Sequence, residues 1–374
     1  MTNRRDRRPE ALPLDEGVLR EGAVCEFGSH LAVESQGGTV VQPWRDRFLA
    51  AQALELEVAS TAHALESEQF PQTLVHLQKS RAATFSDLAE AWRVTEPGGQ
   101  LLLCGTNSLG VVSAVKRLAA QLDQTPIVAA NRARARVARF KKDDGAGPEA
   151  ETTPAIQATI ESIEGTTTSL DLETRPGVFS AKRLDAGTQC LLDALPRFMG
   201  YKPPRRVVDL GCGTGILGIA AATLWPDCEV LLADADARAV ECARANVARL
   251  GLEARCRVLW WDARETPPEG RFGLALVNPP FHRQGMEVDL GPALALFDSL
   301  TAWIKPGARA LLVANRTLPY EGPLEEIGEL STLRSEKGYK LLSLKRSARS
   351  SRAKGRRSPG SRSAGSSRAP TRSR

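Results

Sequence analysis

Val207-Val208-Asp209-Leu210-Gly211-Cys212-Gly213-Thr214-Gly215 is the stretch that decides the fold of this chain. An apolar run ending in an acid and a glycine-rich turn, followed by the apolar segment 216–224, reads as a buried strand, a tight turn and a helix. Glycines in such a turn let the backbone approach a ligand closely. The dinucleotide-binding fingerprint Gly-x-Gly-x-x-Gly needs a glycine at its sixth position, which here is Ile216, so that match fails. Asp-x-Gly-x-Gly-x-Gly is complete, and it marks a methyl-donor site.

Three further apolar runs follow at the spacing of an α/β sheet. Glu229 to Ala233 ends in Asp234, where a carboxylate can accept hydrogen bonds from both hydroxyls of a ribose. Asp236 then caps a helix that carries Ala239, Val240, Ala243 and Val247 at helical spacing and closes at Gly251. Val258 to Trp261 ends in Asp262, which is either an acceptor for the exocyclic amine of an adenine or an ordinary turn acid. Leu274 to Val277 stops at Asn278-Pro279-Pro280-Phe281, and ligands bind at the carboxyl ends of strands in open α/β sheets.

The last motif suits methyl transfer to an amine conjugated with a ring. Such a nitrogen is a poor nucleophile unless acceptors draw its two N–H groups out of plane, and the Asn278 side-chain carbonyl and Pro279 backbone carbonyl can be those acceptors. Phe281 offers a flat face for an extruded base, a contact of roughly 1–3 kcal/mol.

Together with Val313-Ala314-Asn315-Arg316 and Pro176-Gly177-Val178-Phe179-Ser180, followed by Leu184-Asp185-Ala186-Gly187, these motifs resemble the bacterial small-subunit ribosomal RNA guanine-N2 methyltransferases and their large-subunit relatives. The resemblance covers about residues 154–346 well and 73–142 more loosely. It implies a class I, Rossmann-like, mostly parallel α/β sheet with a terminal antiparallel strand, preceded by a degenerate copy of the same fold. The implied cofactor is S-adenosylmethionine, held by Asp209, Gly211, Gly213, Gly215, Asp234 and Asp262. Asn278, Pro279 and Phe281 are the implied catalytic set, with substrate contacts at Pro280, His282 and Arg316. The implied partner is ribosomal RNA or a ribosomal subunit. Three other readings stay open. They are a large-subunit RNA enzyme, a protein glutamine-amide methyltransferase, which usually carries Tyr at the place of Phe281, and a non-enzymatic RNA-binding scaffold.

A duplication is visible in the sequence itself. Leu101 to Gly105, preceded by Pro97-Gly98-Gly99, parallels Ala310 to Ala314, preceded by Pro306-Gly307, and each follows a helical run containing Trp92 or Trp303. In the first copy the strand Thr73-Leu74-Val75 leads into His76 with no acid-and-glycine turn anywhere ahead of it, and the crossover to Pro97 is short. The expected organisation is a flexible segment 1–20, a degenerate domain 21–142, a linker 143–153, a catalytic domain 154–344 and a disordered tail 345–374. Residues 159–174 read as a hairpin around Glu164-Gly165, and Arg132, Arg134 and Arg136 fall on one face if they share a strand.

Composition agrees with a two-domain globular protein of 374 residues, 42% of them hydrophobic. The formal charge of +6 misleads, because residues 345–374 carry eleven Lys or Arg and no acid, which leaves −5 for residues 1–344. That tail is an expected electrostatic arm for RNA phosphates or a solvated extension. No apolar run is long enough to span a membrane and the start has no apolar signal core, so a cytoplasmic location is expected. Seven cysteines form no Cys-x-x-Cys pair and only four histidines are present, so the expectation is reduced core thiols and no metal.

Overall fold

The computed structural model describes residues 8–348 except 182, 201, 281, 285, 286 and 337, and it describes 282–284, 287 and 288 by their backbone alone. In the first half the strands are β1 (Val24–Phe27), β2 (Gly38–Val41), β3 (Glu57–Ala59), β4 (Phe70–His76), β5 (Thr95–Thr106), β6 (Ile127–Arg132) and β7 (Ala135–Lys141). Its helices are α1 (Leu12–Asp15), α2 (Leu31–Gln36), α3 (Arg45–Ala53), α4 (Arg81–Val94) and α5 (Val111–Leu122). A separate hairpin of β8 (Ile156–Glu161) and β9 (Thr167–Leu172) follows.

The second half contains β10 (Arg206–Leu210), β11 (Glu229–Asp234), β12 (Cys256–Trp260), β13 (Phe272–Val277), β14 (His282–Gln284), β15 (Glu287–Asp289), β16 (Ile304–Asn315), β17 (Gly328–Glu336) and β18 (Tyr339–Arg346). Its helices are α6 (Ala186–Phe198), α7 (Ile216–Leu224), α8 (Ala237–Arg249), α9 (Gly291–Trp303) and α10 (Glu321–Glu325).

The two large sheets share one topology. Their strand orders are β3-β2-β1-β4-β5-β7-β6 and β12-β11-β10-β13-β16-β18-β17, parallel except where β7 and β18 each enter antiparallel to both neighbours. The inner strands of the second sheet are buried along their length because helices cover both faces, hence their continuous apolar runs. On one face α6, α7, α8 and the β8–β9 hairpin build a core that includes Leu191, Ile219 and Leu276. On the other, α9 contributes Phe297, Leu300 and the fully buried Trp303.

Several local expectations hold. Helix α7 spans Ile216–Leu224, and β8–β9 pair across a turn in which Gly165 has φ +84°. Asp236 caps α8 by accepting the Arg238 N–H, and Gly251 follows the helix with φ +66°. All seven cysteines are buried and free.

Four boundaries or readings are corrected. Residues 8–20 of the expected flexible segment 1–20 are not a loose leader, because Leu12 and Val18 are buried in the first domain's core and the Arg20 N–H donates to Gln72 Oε1 at 3.0 Å, while 1–7 lie outside the described residues. Residues 345 and 346 belong to β18 rather than to a tail, with Lys345 paired to Arg309. The remainder of the tail, 349–374, lies outside the described residues. Arg132 and Arg134 do not share a strand with Arg136, since Ala133 and Arg134, with φ +52° and +60°, turn the chain from β6 into β7.

The fourth correction concerns the degenerate copy. Phe27 lies beside Val75 as Leu210 lies beside Val277, so Glu26 occupies the place of Asp209, Gly28 that of Gly211 and His76 that of Asn278. An acid and a first glycine therefore do precede the strand in the first copy. Glu26 Oε2 accepts the N–H groups of Ala32 and Val33 in α2, as Asp209 Oδ2 accepts that of Gly218 in α7. The shorter crossover also has a cause: the β14–β15 hairpin after β13 has no counterpart after β4.

Candidate active site

Adjacent parallel strands bring the two diagnostic motifs together. The pairing of Leu210 with Val277 sets Gly211 next to Asn278 at the carboxyl end of the sheet. Gly211, Gly213 and Gly215 have φ of +72°, +56° and +87°, the left-handed region that favours glycine. A Cβ at Gly213 would meet nothing within 4 Å, so the turn is open there, whereas one at Gly215 would come 2.9 Å from Leu232. Gly215 is thus required by packing, and Gly211, whose Cβ would meet only Leu296 at 3.9 Å, and Gly213 are open to a ligand.

The two acids behind the turn are strongly perturbed. Asp209 is 1% exposed, and its Oδ1 has no hydrogen-bond partner among the described residues. Burial pushes its pKa up to about 7 against the opposing Gly218 N–H, with Asp234 adding to the rise. Asp234 Oδ2 accepts the Gly213 N–H at 2.8 Å and Oδ1 accepts that of Asp236 at 2.9 Å. Burial still raises its pKa to about 6. Each Asp234 oxygen keeps a lone pair, and an orphaned buried oxygen, an open glycine turn and a braced carboxylate fit a ligand with a hydroxylated sugar and a cationic group.

Asp262 is less available. Its Oδ1 accepts the Arg264 N–H at 2.9 Å and its carboxylate pairs with the Arg264 guanidinium, so it organises its own turn. The Asp262 N–H in turn donates to Glu265 Oε1 at 3.0 Å.

Asn278 is half-buried at the end of β13, Pro279 is buried and Pro280 half-buried. Phe281 lies outside the described residues, and of His282 only the backbone, the start of β14, is described. Arg316 is exposed just after β16, with its backbone N–H donating to the Gly338 carbonyl. The Pro176–Ser180 segment runs along α8, where Val178 packs with Ala239 and Cys242. Gly177 has φ +91°, and a Cβ there would fall 3.0 Å from the Ala83 Cβ. Phe179 is 59% exposed.

Sequence reasoning missed the groups that hold this site from behind. Asp185 and Thr188 in the first turn of α6 bond the Asn278 amide, and Arg45 of the first domain clamps Glu265 through two hydrogen bonds of 2.8 and 2.9 Å. Asp185 is legible as a helix cap, but a partner 93 positions away is not. No group of three or more His, Cys, Asp or Glu able to hold a metal ion occurs among the described residues, nor any helix long and apolar enough to cross a membrane.

A seven-stranded, mostly parallel sheet with the order of β12 to β17, a glycine turn after its third strand and Asn-Pro-Pro after its central strand defines the class I methyltransferase fold. Residues 169–343 match the family model of the methyltransferase small domain. Among curated proteins, the chain is similar to ribosomal RNA small subunit methyltransferase C of Chromohalobacter salexigens, 36% identical over 173 residues, which are 46% of this chain and 50% of that protein. It is 33% identical to the protein of the same name from Escherichia coli strain K12 over 230 residues, 61% of this chain and 62% of that one. The matched segments thus span between half and two thirds of those relatives. Among solved structures, the T. thermophilus 16S rRNA N2 G1207 methyltransferase in complex with AdoMet and guanosine superposes with a TM-score of 0.76 at 25% identity, covering 92% of each chain.

Proposed function

We propose that this protein transfers a methyl group from S-adenosylmethionine to the exocyclic N2 amine of a guanine in small-subunit ribosomal RNA. The observation that carries the reading is the placement of Asn278 beside Gly211, which puts an amine-accepting motif next to a donor-type turn. The likeness to small-subunit RNA methyltransferases supports guanine and the RNA class.

When bound, the donor supplies an electrophilic methyl on a sulfonium. The chain's own contribution is orientation. Asp234 would receive the ribose hydroxyls with its free lone pairs, the buried Asp209 carboxylate would favour the cationic end, and Asp262 is the candidate for the adenine amine. Asn278 Oδ1 and the Pro279 carbonyl accept the two N–H groups of the target amine, turning its lone pair out of conjugation and along the line of attack. The methylated amine is acidic enough to lose its proton to water. A base paired inside a helix is out of reach of such a pocket, so the guanine must be extruded.

Labelled methyl donor offered separately to small subunits, large subunits, naked ribosomal RNA and release factors tests the reading. Label in small-subunit RNA, recovered as N2-methylguanosine, is expected, and Asn278→Ala should lower turnover far more than it weakens donor binding. Label in release factor would instead establish glutamine-amide chemistry, and methyladenosine as product would overturn the choice of guanine.

A further inference from the structure

The side-chain amide of Asn278 is tied down from one side. Its Nδ2 donates to Thr188 Oγ1 at 2.9 Å and to Asp185 Oδ2 at 3.2 Å. Asp185 Oδ2 also accepts the Thr188 N–H at 2.9 Å, the bond that caps α6. An ionised carboxylate only accepts hydrogen bonds, so the amide must turn its nitrogen toward Asp185 and not its oxygen. Both N–H groups of Asn278 are then committed to α6, and Oδ1, on the other side of the same planar carbon, faces away from that helix. The approach of α6 depends on Gly187, where a Cβ would sit 2.9 Å from Asp185 Oδ2 and 3.1 Å from Tyr339 Cε1.

We propose that Asp185 and Thr188 are positioning residues that fix the Asn278 amide so that its carbonyl, and not its NH2, meets the target amine. This inference rests on the function proposed above for the identity of the reaction. A flipped amide would set donor against donor at the reacting nitrogen, and a freely rotating one would spend much of its time misoriented. Neither fault touches the donor turn, so the clamp acts on the chemical step and not on donor affinity.

Thr188→Val keeps the shape of the side chain and removes the acceptor, Thr188→Ser restores the hydroxyl, and Asp185→Asn keeps a capping oxygen while ending the acceptor-only constraint. In single-turnover assays at saturating donor and RNA, Thr188→Val should react about five- to thirty-fold more slowly, the cost of one lost hydrogen bond in the transition state. Its KM for RNA and its donor affinity should match the parent, and Thr188→Ser should recover most of the rate. A second measurement needs no turnover. With asparagine side chains labelled with nitrogen-15, the NH2 signal that vanishes in Asn278→Ala should exchange slowly with solvent in the parent and faster in Thr188→Val. A Thr188→Val protein with the parent's rate and the parent's NH2 protection would overturn the clamp. So would one whose donor affinity falls in step with its rate, since that is general distortion. If the parent methylated no guanine, the proposed function would fall, and the exchange measurement alone would decide whether the clamp exists.

Discussion

At the scale of single residues, Asp234 and Asp209 are held in a state that costs the ligand-free protein stability near neutral pH. Both carboxyls are raised by burial, to about 6 and about 7, above the 3.8 of a solvated Asp. A group whose folded pKa exceeds its unfolded one contributes stability that is complete below the unfolded value. That contribution is lost as pH rises through the folded value, here between about pH 4 and pH 7. In the role proposed for Asp234, donor binding has the opposite slope, because a carboxylate accepts ribose hydroxyls best when ionised. Donor affinity should therefore strengthen as pH rises through about 6, and Asp234→Asn should flatten that step. Asp234→Ala should cost on the order of tenfold or more in affinity, since charge-assisted hydrogen bonds contribute about 1.5–3 kcal/mol each. Calorimetric titration of folded variants across pH checks both. An Asp234→Ala protein with the parent's affinity would remove Asp234 from the donor site.

At the scale of elements, what the sequence revealed and what it hid follow from range. Helices α7 and α8 were legible because their signals are local: a glycine turn before one, an Asp cap and a Gly stop around the other. The glycine turn and Asn278 were legible as motifs, and the parallel arrangement of apolar strands predicts that they meet. The Asp185 and Thr188 contacts to Asn278 were not, because they depend on how α6 docks on the sheet. Glu26 escaped notice because the first copy keeps only the acid and the first glycine, and α2 is two turns or fewer. In that copy His76 Nε2 and Glu26 Oε1 are 2.8 Å apart with both side chains buried. Burial opposes a charged His76, but hydrogen bonds with Cys104 and Glu26 outweigh it and raise its pKa to about 10. His76 thus adds stability that is complete below its unfolded pKa near 6.5 and lost as pH rises through about 10. Replacing one partner alone leaves the other buried without it, so His76→Leu should destabilise the first domain by about 3–5 kcal/mol at neutral pH. The same variant should lose less stability than the parent between pH 7 and pH 10. Calorimetric unfolding that showed equal alkaline sensitivity in both proteins would contradict a protonated His76.

At the scale of the whole molecule, the halves meet through equivalent positions. The sheet registers place Pro43, Trp44 and Arg45 where Ala235, Asp236 and Ala237 stand in the second half. Trp44 and Asp236 form an antiparallel bridge in which the Arg45 N–H donates to Ala235 O at 2.9 Å and the Ala237 N–H to Pro43 O at 2.8 Å. Like positions paired with like positions give the local geometry of a two-fold contact, as in a symmetric dimer. Around it Phe48 meets Trp260 edge-on with ring centres 4.7 Å apart, Arg264 pairs with Asp46, and Arg238 reaches Gln78. This contact also reaches the candidate site. Arg45 grips Glu265 with two hydrogen bonds, and Glu265 accepts the Asp262 N–H, so the turn after β12 is braced by a cation from the first half. The pair is partly exposed, which limits its worth, but bidentate geometry and the Trp260 ring 5.0 Å from the guanidinium carbon favour it over an ordinary surface pair. Arg45→Ala and Glu265→Gln, singly and together, form a double-mutant cycle. A coupling of about 1 kcal/mol in thermal stability is expected, together with a severalfold loss of donor affinity that is the same in each single variant and the double. Arg45→Lys should restore little of either, since an ammonium cannot make the paired bonds. Zero coupling would mean the two side chains are merely neighbours. Coupling with unchanged donor affinity would mean that the first domain steadies the second without shaping its site.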